Sequence, residues 1–344
     1  MSGIPRMAAL FGNPFSPIYS ALMKVRATAY RTGVFSSIKL EVPVVSIGNL
    51  TMGGSGKTPM VMAVARLLQR QGKKPAIISR GYGGRARGDV NLVSDGAKIF
   101  LNAEEAGDEP LLLAESLPGI PVVTGSQRKL TGPYAVKELG ADLIIMDDGF
   151  QHLALSRDLD LVLFKAPFLL GDGRVFPGGY LREPISALAR AHAFVINGVD
   201  ELSADRVEEF AGYLAEIFPG RPIFKIGYGL GTPVDIHGKA VTTLQSGEKC
   251  FVFCGLADPE SFRLSLKRSG YEIAGFQSFP DHHAYTAGDL EKLARKACGR
   301  TLLTTEKDLV KLKDISGDVA VYALPLALKL PLGLEPFLVS NLLK

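Results

Sequence analysis

Residues 41–72 read EVPVVSIGNLTMGGSGKTPMVMAVARLLQRQG, and the order of residue types in this stretch decides the fold. A β-branched apolar run, Val44 to Ile47, ends in a glycine turn. From Met60 the apolar residues recur at helical spacing, so the stretch predicts strand, loop and helix. The loop core is Gly53-Gly54-Ser55-Gly56-Lys57-Thr58. Glycines let successive N–H groups turn toward phosphate oxygens, and the helix start adds positive potential. Lys57 is of the length and charge to reach the β- and γ-phosphates, and the Thr58 hydroxyl suits Mg²⁺. The common form of this motif has glycine five positions before Gly56, where this chain has Thr51. The loop is therefore a variant, with Thr51 and Met52 completing the candidate nucleotide cradle.

The same theme recurs outward from that stretch. PAIISRGYGG (75–84), IPVVTG (120–125), ADLIIMDDG (141–149), DLVLFKA (160–166) and AHAFVINGV (191–199) are short apolar runs that end in polar or glycine residues. Helical stretches at 104–116 and 127–139 separate several of them. An α/β fold follows: a P-loop NTPase-like, mainly parallel sheet with helices on both faces. From 221 to 247 the helical signal gives way to Gly- and Thr-rich extended sequence, which reads as an extended two-stranded linker. Beyond it, strands and helices alternate again. The expected organisation is a basic N-terminal region (1–40), a P-loop domain (41–220), the linker (221–247) and a smaller α/β domain (248–344).

Composition sets limits on this reading. The chain has 344 residues, 47% of them hydrophobic and 22% charged, which provides for two packed cores and excludes a disordered or collagen-like chain. Thirty-nine Lys plus Arg against 35 Asp plus Glu leave +4, too mild for a dedicated nucleic-acid binder but suited to an anionic ligand. Cys250, Cys254 and Cys298 lie without metal spacing, so a reducing compartment is expected, with neither a disulfide framework nor a zinc site. No apolar run reaches a membrane span, and no signal sequence is evident. Charge is uneven, however. Arg6, Lys24, Arg26, Arg31 and Lys39 precede the first acid, Glu41. Among them Phe15, Ile18, Tyr19, Leu22, Met23, Val25, Tyr30 and Phe35 supply apolar surface. Residues 15–35 therefore predict an amphipathic helix that covers the first domain or lies on a membrane surface.

A phosphate loop calls for a carboxylate at the end of a neighbouring strand, and LIIMDDGFQH supplies Asp147 and Asp148. Asp147 is the expected Mg²⁺ ligand, neutralising charge on a transferred phosphoryl group, and Asp148 positions it. Taken alone, one of the pair also fits a turn or cap.

Together GNLTMGGSGKTP, SRGYGG (79–84), GDEPLLLA (107–114), DDGFQH (147–152), GDGRVFPGGYLREP (171–184), FPDHHAY (279–285) and TTEKDLVKL (304–312) resemble, in order and over nearly the whole chain, the tetraacyldisaccharide 4′-kinases of lipid A biosynthesis. Two places depart from the family pattern: Asp258 in GLADP stands where Asn is expected, and Tyr180 follows Gly178-Gly179 where Ala-Gly-Pro is expected. The resemblance implies transfer of the ATP γ-phosphoryl group, with Mg²⁺, to the 4′-hydroxyl of an acylated glucosamine disaccharide 1-phosphate, giving lipid IVA. It also implies a peripheral position on the cytoplasmic face of the inner membrane and requires no obligate protein partner. From the family motif Asp108 is the expected catalytic base, paired with His282 or, less favoured, its neighbour His283. By itself Asp108 also fits a helix N-cap before Pro110. Arg80 and Tyr82 follow a strand and face the crevice as candidate substrate contacts. Arg174 and Arg182 suit phosphate, Glu183 is a candidate for the Mg²⁺ shell, and Gln151 and His152 contact substrate or support the Asp147 strand end. TTEKDLVKL either contacts nucleotide or, the favoured reading, forms a helix capped by Thr305, with Asp308 in its first turn. Two other classes fit the phosphate loop alone: a different P-loop phosphotransferase or NTPase, and a membrane-associated nucleotide-binding switch.

Overall fold

The computed structural model describes residues 13–343 except 167, 201, 243, 245, 246, 257, 314, 316 and 318. Arg6, the first cation of the basic region, and Ala257 of GLADP lie outside the described residues. The decisive stretch forms β1 (Val44–Asn49), the loop, and helix α2 (Lys57–Arg70), which α1 (Ser16–Arg31) precedes. Further strands are β2 (Pro75–Ser79), β3 (Asn91–Ser94), β4 (Val122–Thr124), β5 (Leu143–Asp147), β6 (Leu159–Lys165), β7 (Ala193–Asn197) and β8 (Ile223–Leu230). With β13 (Leu326–Lys329) they make a nine-stranded sheet in the order β13-β8-β7-β6-β1-β5-β2-β4-β3. From β8 to β4 every pairing is parallel. Only the two edges run antiparallel, β3 against β4 and β13 against β8.

Alternation along the central strands explains the layers. Val45, Ile47 and Ile145 point into one core with Met60, Val64 and Leu68 of α2. Val44, Ile144 and Met146, one residue out of phase, face a second core with Ala135 of α5 (Arg128–Lys137). Further along the sheet, Phe164 and Phe194 meet Phe210 and Leu214 of α6 (Ala204–Ile217). A parallel strand covered on both faces must be apolar at nearly every position, which is why these runs read as continuous. Each such side chain, fully buried, contributes roughly 1.5–3 kcal/mol.

The stretch 104–116, one helix by sequence, falls in two helices in fact, α3 (Ala103–Ala106) and α4 (Asp108–Ser116). Gly107 separates them at φ 92°, where an added Cβ would meet the Tyr82 carbonyl at 2.5 Å. Glycine at this position frees the next residue, Asp108, to begin a new helix pointing at the cleft.

The smaller sheet is wholly parallel, in the order β10-β9-β11-β12. Its strands are β9 (Lys249–Cys254), β10 (Glu272–Ser278), β11 (Thr301–Thr305) and β12 (Val321–Leu324). Helices α7 (Pro259–Arg268) and α8 (Ala287–Ala297) cover its two faces. The chain then departs from the sequence-based boundaries at 221–247 and 248–344. Residues 223–226 pair with β7 and 227–230 with β13, so just under a third of the expected linker is a strand of the large sheet. The C-terminal end returns as well. β13 pairs with β8, and α10 (Leu334–Leu342) buries Leu334, Leu338 and Leu342 in the core shared with α2. The chain therefore passes between the sheets twice, out after β8 and back before β13.

Candidate active site

Because seven strands are parallel, their carboxyl ends lie on one edge, and the loops after β1, β2, β5 and β6 meet there. Gly56 precedes α2 in the left-handed region at φ 76°. A Cβ there would lie 2.0 Å from the Tyr228 hydroxyl and 3.1 Å from Asn197 Nδ2, so only glycine fits. Asn197 also donates to the Ser55 carbonyl at 3.0 Å, fixing the loop from β7 below. Lys57 Nζ lies 3.3 Å from Asn49 Oδ1 and 3.6 Å from Asp148 Oδ1.

Two of the expected cradle residues also make scaffold contacts. The Met52 N–H donates to the Tyr180 carbonyl at 2.8 Å, and Thr51, which is buried, bridges to Leu181. That amide anchors the 174–182 segment to the loop. With Arg182 N–H donating to the Leu50 carbonyl, the segment lies along the loop as a short antiparallel ribbon.

Asp147, the last residue of β5, is only 3% exposed. Ser79 at the end of β2 donates to its Oδ2 at 2.9 Å, and Oδ1 has no partner. Burial, with Glu109 and Asp148 adding negative potential, pushes its carboxyl up to about 7. A buried oxygen with free lone pairs in a negative setting matches the chemistry of a hard cation's ligand, and the Thr58 hydroxyl at the start of α2 supplies a second oxygen. Among the described residues no cluster of three or more His, Cys, Asp or Glu encloses a metal. That donor set suits Mg²⁺, which takes one or two protein oxygens and completes its octahedron from phosphate and water.

Asp148 behaves oppositely. Burial pushes it up, but Lys57, Arg182 and Arg128 outweigh that and leave it below the usual carboxylate range. Arg182 Nη1 donates to both of its oxygens, at 3.0 and 2.9 Å. Gln151 donates to the Asn49 carbonyl at 2.9 Å and so braces β1. His152 Nε2 accepts from the Arg128 N–H at 3.3 Å. Its burial, beside Arg128, Arg26, Arg157 and Arg80, lowers the imidazole to about 4.

Glu183 has an arginine partner. Both of its oxygens accept from Arg190 Nη2 at 3.0 Å, and the Arg190 guanidinium stacks 4.5 Å over the Phe150 ring. The carboxylate is buried in that pair. Arg174 is exposed and sits beside α1, where Ser16 Oγ donates to the Val175 carbonyl at 2.7 Å. It lies with the N-terminal helix and not with the Asp148–Arg182 pair. Arg80 is exposed at the end of β2.

Arg128 is the residue that the sequence reading missed. It is 3% exposed, its Nη1 donates to the Gly125 carbonyl at 3.2 Å, and its Nε has no partner. Burial lowers the guanidinium to about 10 even though Asp147 and Asp148 pull it back up. Nothing in SQRKL distinguishes it from other arginines. Only the fold turns it inward beside Asp147.

The other wall of the cleft belongs to the smaller domain. His282 Nδ1 donates to Asp108 Oδ2 at 3.0 Å, across 174 positions of sequence, and the Tyr82 ring packs edge-on at 6.2 Å. His282, not His283, makes this contact. His283 stacks on Phe279 at 4.6 Å instead. Burial raises the Asp108 carboxyl, but the His282 hydrogen bond and Lys311 together bring it below its usual range. Thr305 caps α9 (Glu306–Leu309) by accepting from the Asp308 N–H. The segment does more than cap, because Val310 enters the large core and Lys313 reaches Glu115 of α4 at 2.5 Å. Gly107, next to Asp108, packs against the Tyr82 carbonyl of the loop after β2, and the Tyr82 ring meets His282, so α4, this loop and the smaller domain come together at one place.

A family model described as tetraacyldisaccharide-1-P 4′-kinase matches residues 8–343. The chain is 44% identical over 315 residues to the tetraacyldisaccharide 4′-kinase of Desulfotalea psychrophila, covering 91% of this chain and 90% of that relative. To the tetraacyldisaccharide 4′-kinase of Geobacter metallireducens it is 42% identical over 318 residues, covering 91% of each. The crystal structure of LpxK from Aquifex aeolicus in complex with ATP aligns at a TM-score of 0.80 and 36% identity, over 98% of this chain and 99% of that one.

Proposed function

The chain belongs to the tetraacyldisaccharide 4′-kinase family, and from that premise we propose how its residues share the reaction. The activity is ATP-dependent phosphorylation of the 4′-hydroxyl of a tetraacyldisaccharide 1-phosphate, a step of lipid A biosynthesis that yields lipid IVA. Gly53 to Thr58 cradle the triphosphate, and Lys57 reaches the β- and γ-phosphates. Asp147 and Thr58 are the residues that would hold Mg²⁺, which would supply positive charge to offset the negative charge developing on the transferring phosphoryl group. Asp148 and Arg182 fix each other, so that Lys57 and the 174–182 ribbon keep their places. Arg128, Arg80 and Arg182 give this wall positive potential toward an anionic substrate.

Asp108 takes the proton of the 4′-hydroxyl as its oxygen attacks the γ-phosphorus. The O–H bond breaks, the new O–P bond forms, and the bond from the γ-phosphorus to the bridging oxygen breaks with ADP leaving. His282 orients the carboxylate. The observation that carries this reading is the 3.0 Å contact between Asp108 and His282, which joins residues of different domains on the wall facing the phosphate loop. Radiolabelled ATP with a tetraacyldisaccharide 1-phosphate tests it. Labelled lipid from the wild type and little from Asp108→Asn is expected, whereas ATP hydrolysis without labelled lipid would select a different P-loop NTPase.

The protein works as a peripheral enzyme on the cytoplasmic face of the inner membrane. Helix α1 buries none of its residues, and it exposes Ile18, Leu22 and Val25 beside Lys24, Arg26 and Arg31. Phe15 precedes it and Val34 and Phe35 follow, all exposed. Among the described residues no helix is long and apolar enough to cross a membrane. Apolar side chains interleaved with cations suit the headgroup boundary of an anionic bilayer. Co-sedimentation with anionic vesicles should weaken when residues 1–35 are deleted. Equal sedimentation of both folded forms at low and moderate salt would end this part of the reading.

A further inference from the structure

The segment that caps α9 also brings a lysine to the proposed base. Lys311 Nζ lies 3.0 Å from Asp108 Oδ2, 3.5 Å from Asp308 Oδ1 and 3.2 Å from the His283 carbonyl. An ammonium group has three N–H bonds, and here each has an acceptor. Its side chain is only 7% exposed, and the Tyr285 ring lies 5.7 Å away. Asp308 is itself fixed, accepting from the Gly255 N–H at 3.0 Å and the Thr305 hydroxyl at 2.8 Å. Such a lysine has no freedom to swing.

We infer that Lys311 is a positioning residue of the phosphoryl-transfer site, anchoring Asp108 Oδ2 so that Oδ1 is presented to the acceptor hydroxyl. His282 and Lys311 both contact Oδ2, and among the described residues no side chain takes Oδ1. Two donors from the smaller domain thus converge on one oxygen and leave the other for chemistry. Lys307, one helical turn earlier, completes the arrangement. It lies 3.2 Å from His282 Nε2, which accepts from it, so His282 directs its Nδ1 proton to the carboxylate. The charged groups facing Asp108 are His282 and Lys311. Behind them stand Asp308 on Lys311, Lys307 and Asp281 around His282, and Glu109 beside it in the chain.

The inference rests on Asp108 being the base, so the experiment separates the two ideas. Kinase kcat and KM are measured across pH, with ATP and the tetraacyldisaccharide acceptor, for wild type, Asp108→Asn, Lys311→Arg and Lys311→Met. Removing a cation about 3–4 Å from a carboxylate raises its pKa by about one unit or more. Lys311→Met should therefore lower kcat about tenfold or more, shift the acid limb of kcat upward by about one pH unit, and leave KM for ATP within about twofold. Lys311→Arg keeps the charge and should restore the limb and most of the rate. Should Lys311→Met not fold, Lys311→Met with Asp308→Asn balances the buried charge and is read in the same way. If Asp108→Asn is inactive while the Met variant keeps the wild-type limb, or if Arg is as impaired as Met, the positioning role is wrong. If Asp108→Asn keeps near-normal kcat, the base assignment itself falls.

Discussion

Asp147 and Asp108 stand on opposite walls of one cleft. Asp147 ends a central strand, has one side-chain hydrogen bond and is pushed up to about 7. Asp108 starts a helix, meets a histidine and a lysine from the other domain, and is held below the usual carboxylate range. The difference lies in what the chain leaves unpaired. On the phosphate wall a buried carboxylate oxygen has no hydrogen-bond partner, which suits the proposed Mg²⁺ ligand. On the acceptor wall the protein supplies its own cation, as befits a carboxylate that must be ionised to take a proton. The first wall is built from adjacent strand ends of a single sheet, whereas the second exists only where two domains meet.

The largest test breaks the phosphate wall. Lys57→Ala removes the charge aimed at the β- and γ-phosphates and should cost about a thousandfold or more in kcat/KM. A folded variant that keeps wild-type turnover at limiting ATP sinks that assignment.

The acceptor wall is broken next. Asp108→Ala and His282→Ala should each lower kcat about a hundredfold or more, and the double variant should be within about threefold of the slower single, because either change breaks the same unit. Strictly multiplicative losses, after melting curves verify folding, would instead mean separate roles.

The two walls also differ in how much the sequence discloses. The phosphate loop, Asp147 and Asp148 are legible because their geometry is local: strand, turn and helix dictate where they point. Asp108 and His282 were placed by motif resemblance, since no local rule joins residues 174 positions apart. The pairing of Glu183 with Arg190 was not legible, since the two lie seven positions apart in a segment without a clear helical pattern. Arg128 and Lys311 were silent, being ordinary cations until tertiary packing buries them. In the fold, the short edge strands 91–94 and 326–329 give little periodic signal. The return of α10 to the large core is a matter of topology, which the apolar residues Leu334, Leu338 and Leu342 permit but do not announce.

A smaller effect sharpens the phosphate wall. The imidazole of His152 is lowered to about 4 by burial among arginines, from an ordinary value of 6.5. Between those values the unfolded chain binds a proton that the folded protein refuses, so stability rises with pH across the window. It is fully present above about pH 6.5 and is lost as pH falls toward 4. The melting temperature should drop further between pH 7 and pH 5 in the wild type than in His152→Gln. Parallel curves would show that His152 carries no such strain.

The smallest effect concerns what holds the walls together. Lys165, the last residue of β6, pairs with Asp258 Oδ2 of the smaller domain at 2.7 Å, and Asp258 Oδ1 caps α7 through the Ser261 N–H at 3.3 Å. Asp258→Asn keeps the cap and removes only the charge. Both side chains are partly exposed, 27% and 42%, so the pair contributes about 0.2–1 kcal/mol, or up to about fivefold in an equilibrium. The interface has stronger anchors in Val310, Lys311 and Lys313, and so the acceptor wall should hold. The expected result is a fall in kcat/KM of about two- to fivefold, attenuated at high salt because the wild-type pair is then screened. Lys165→Gln should match it, and the double variant should lose no more than either single. A loss above about thirtyfold would mean that Asp258 touches substrate, and the walls would then share a third contact that the ion pair alone does not provide.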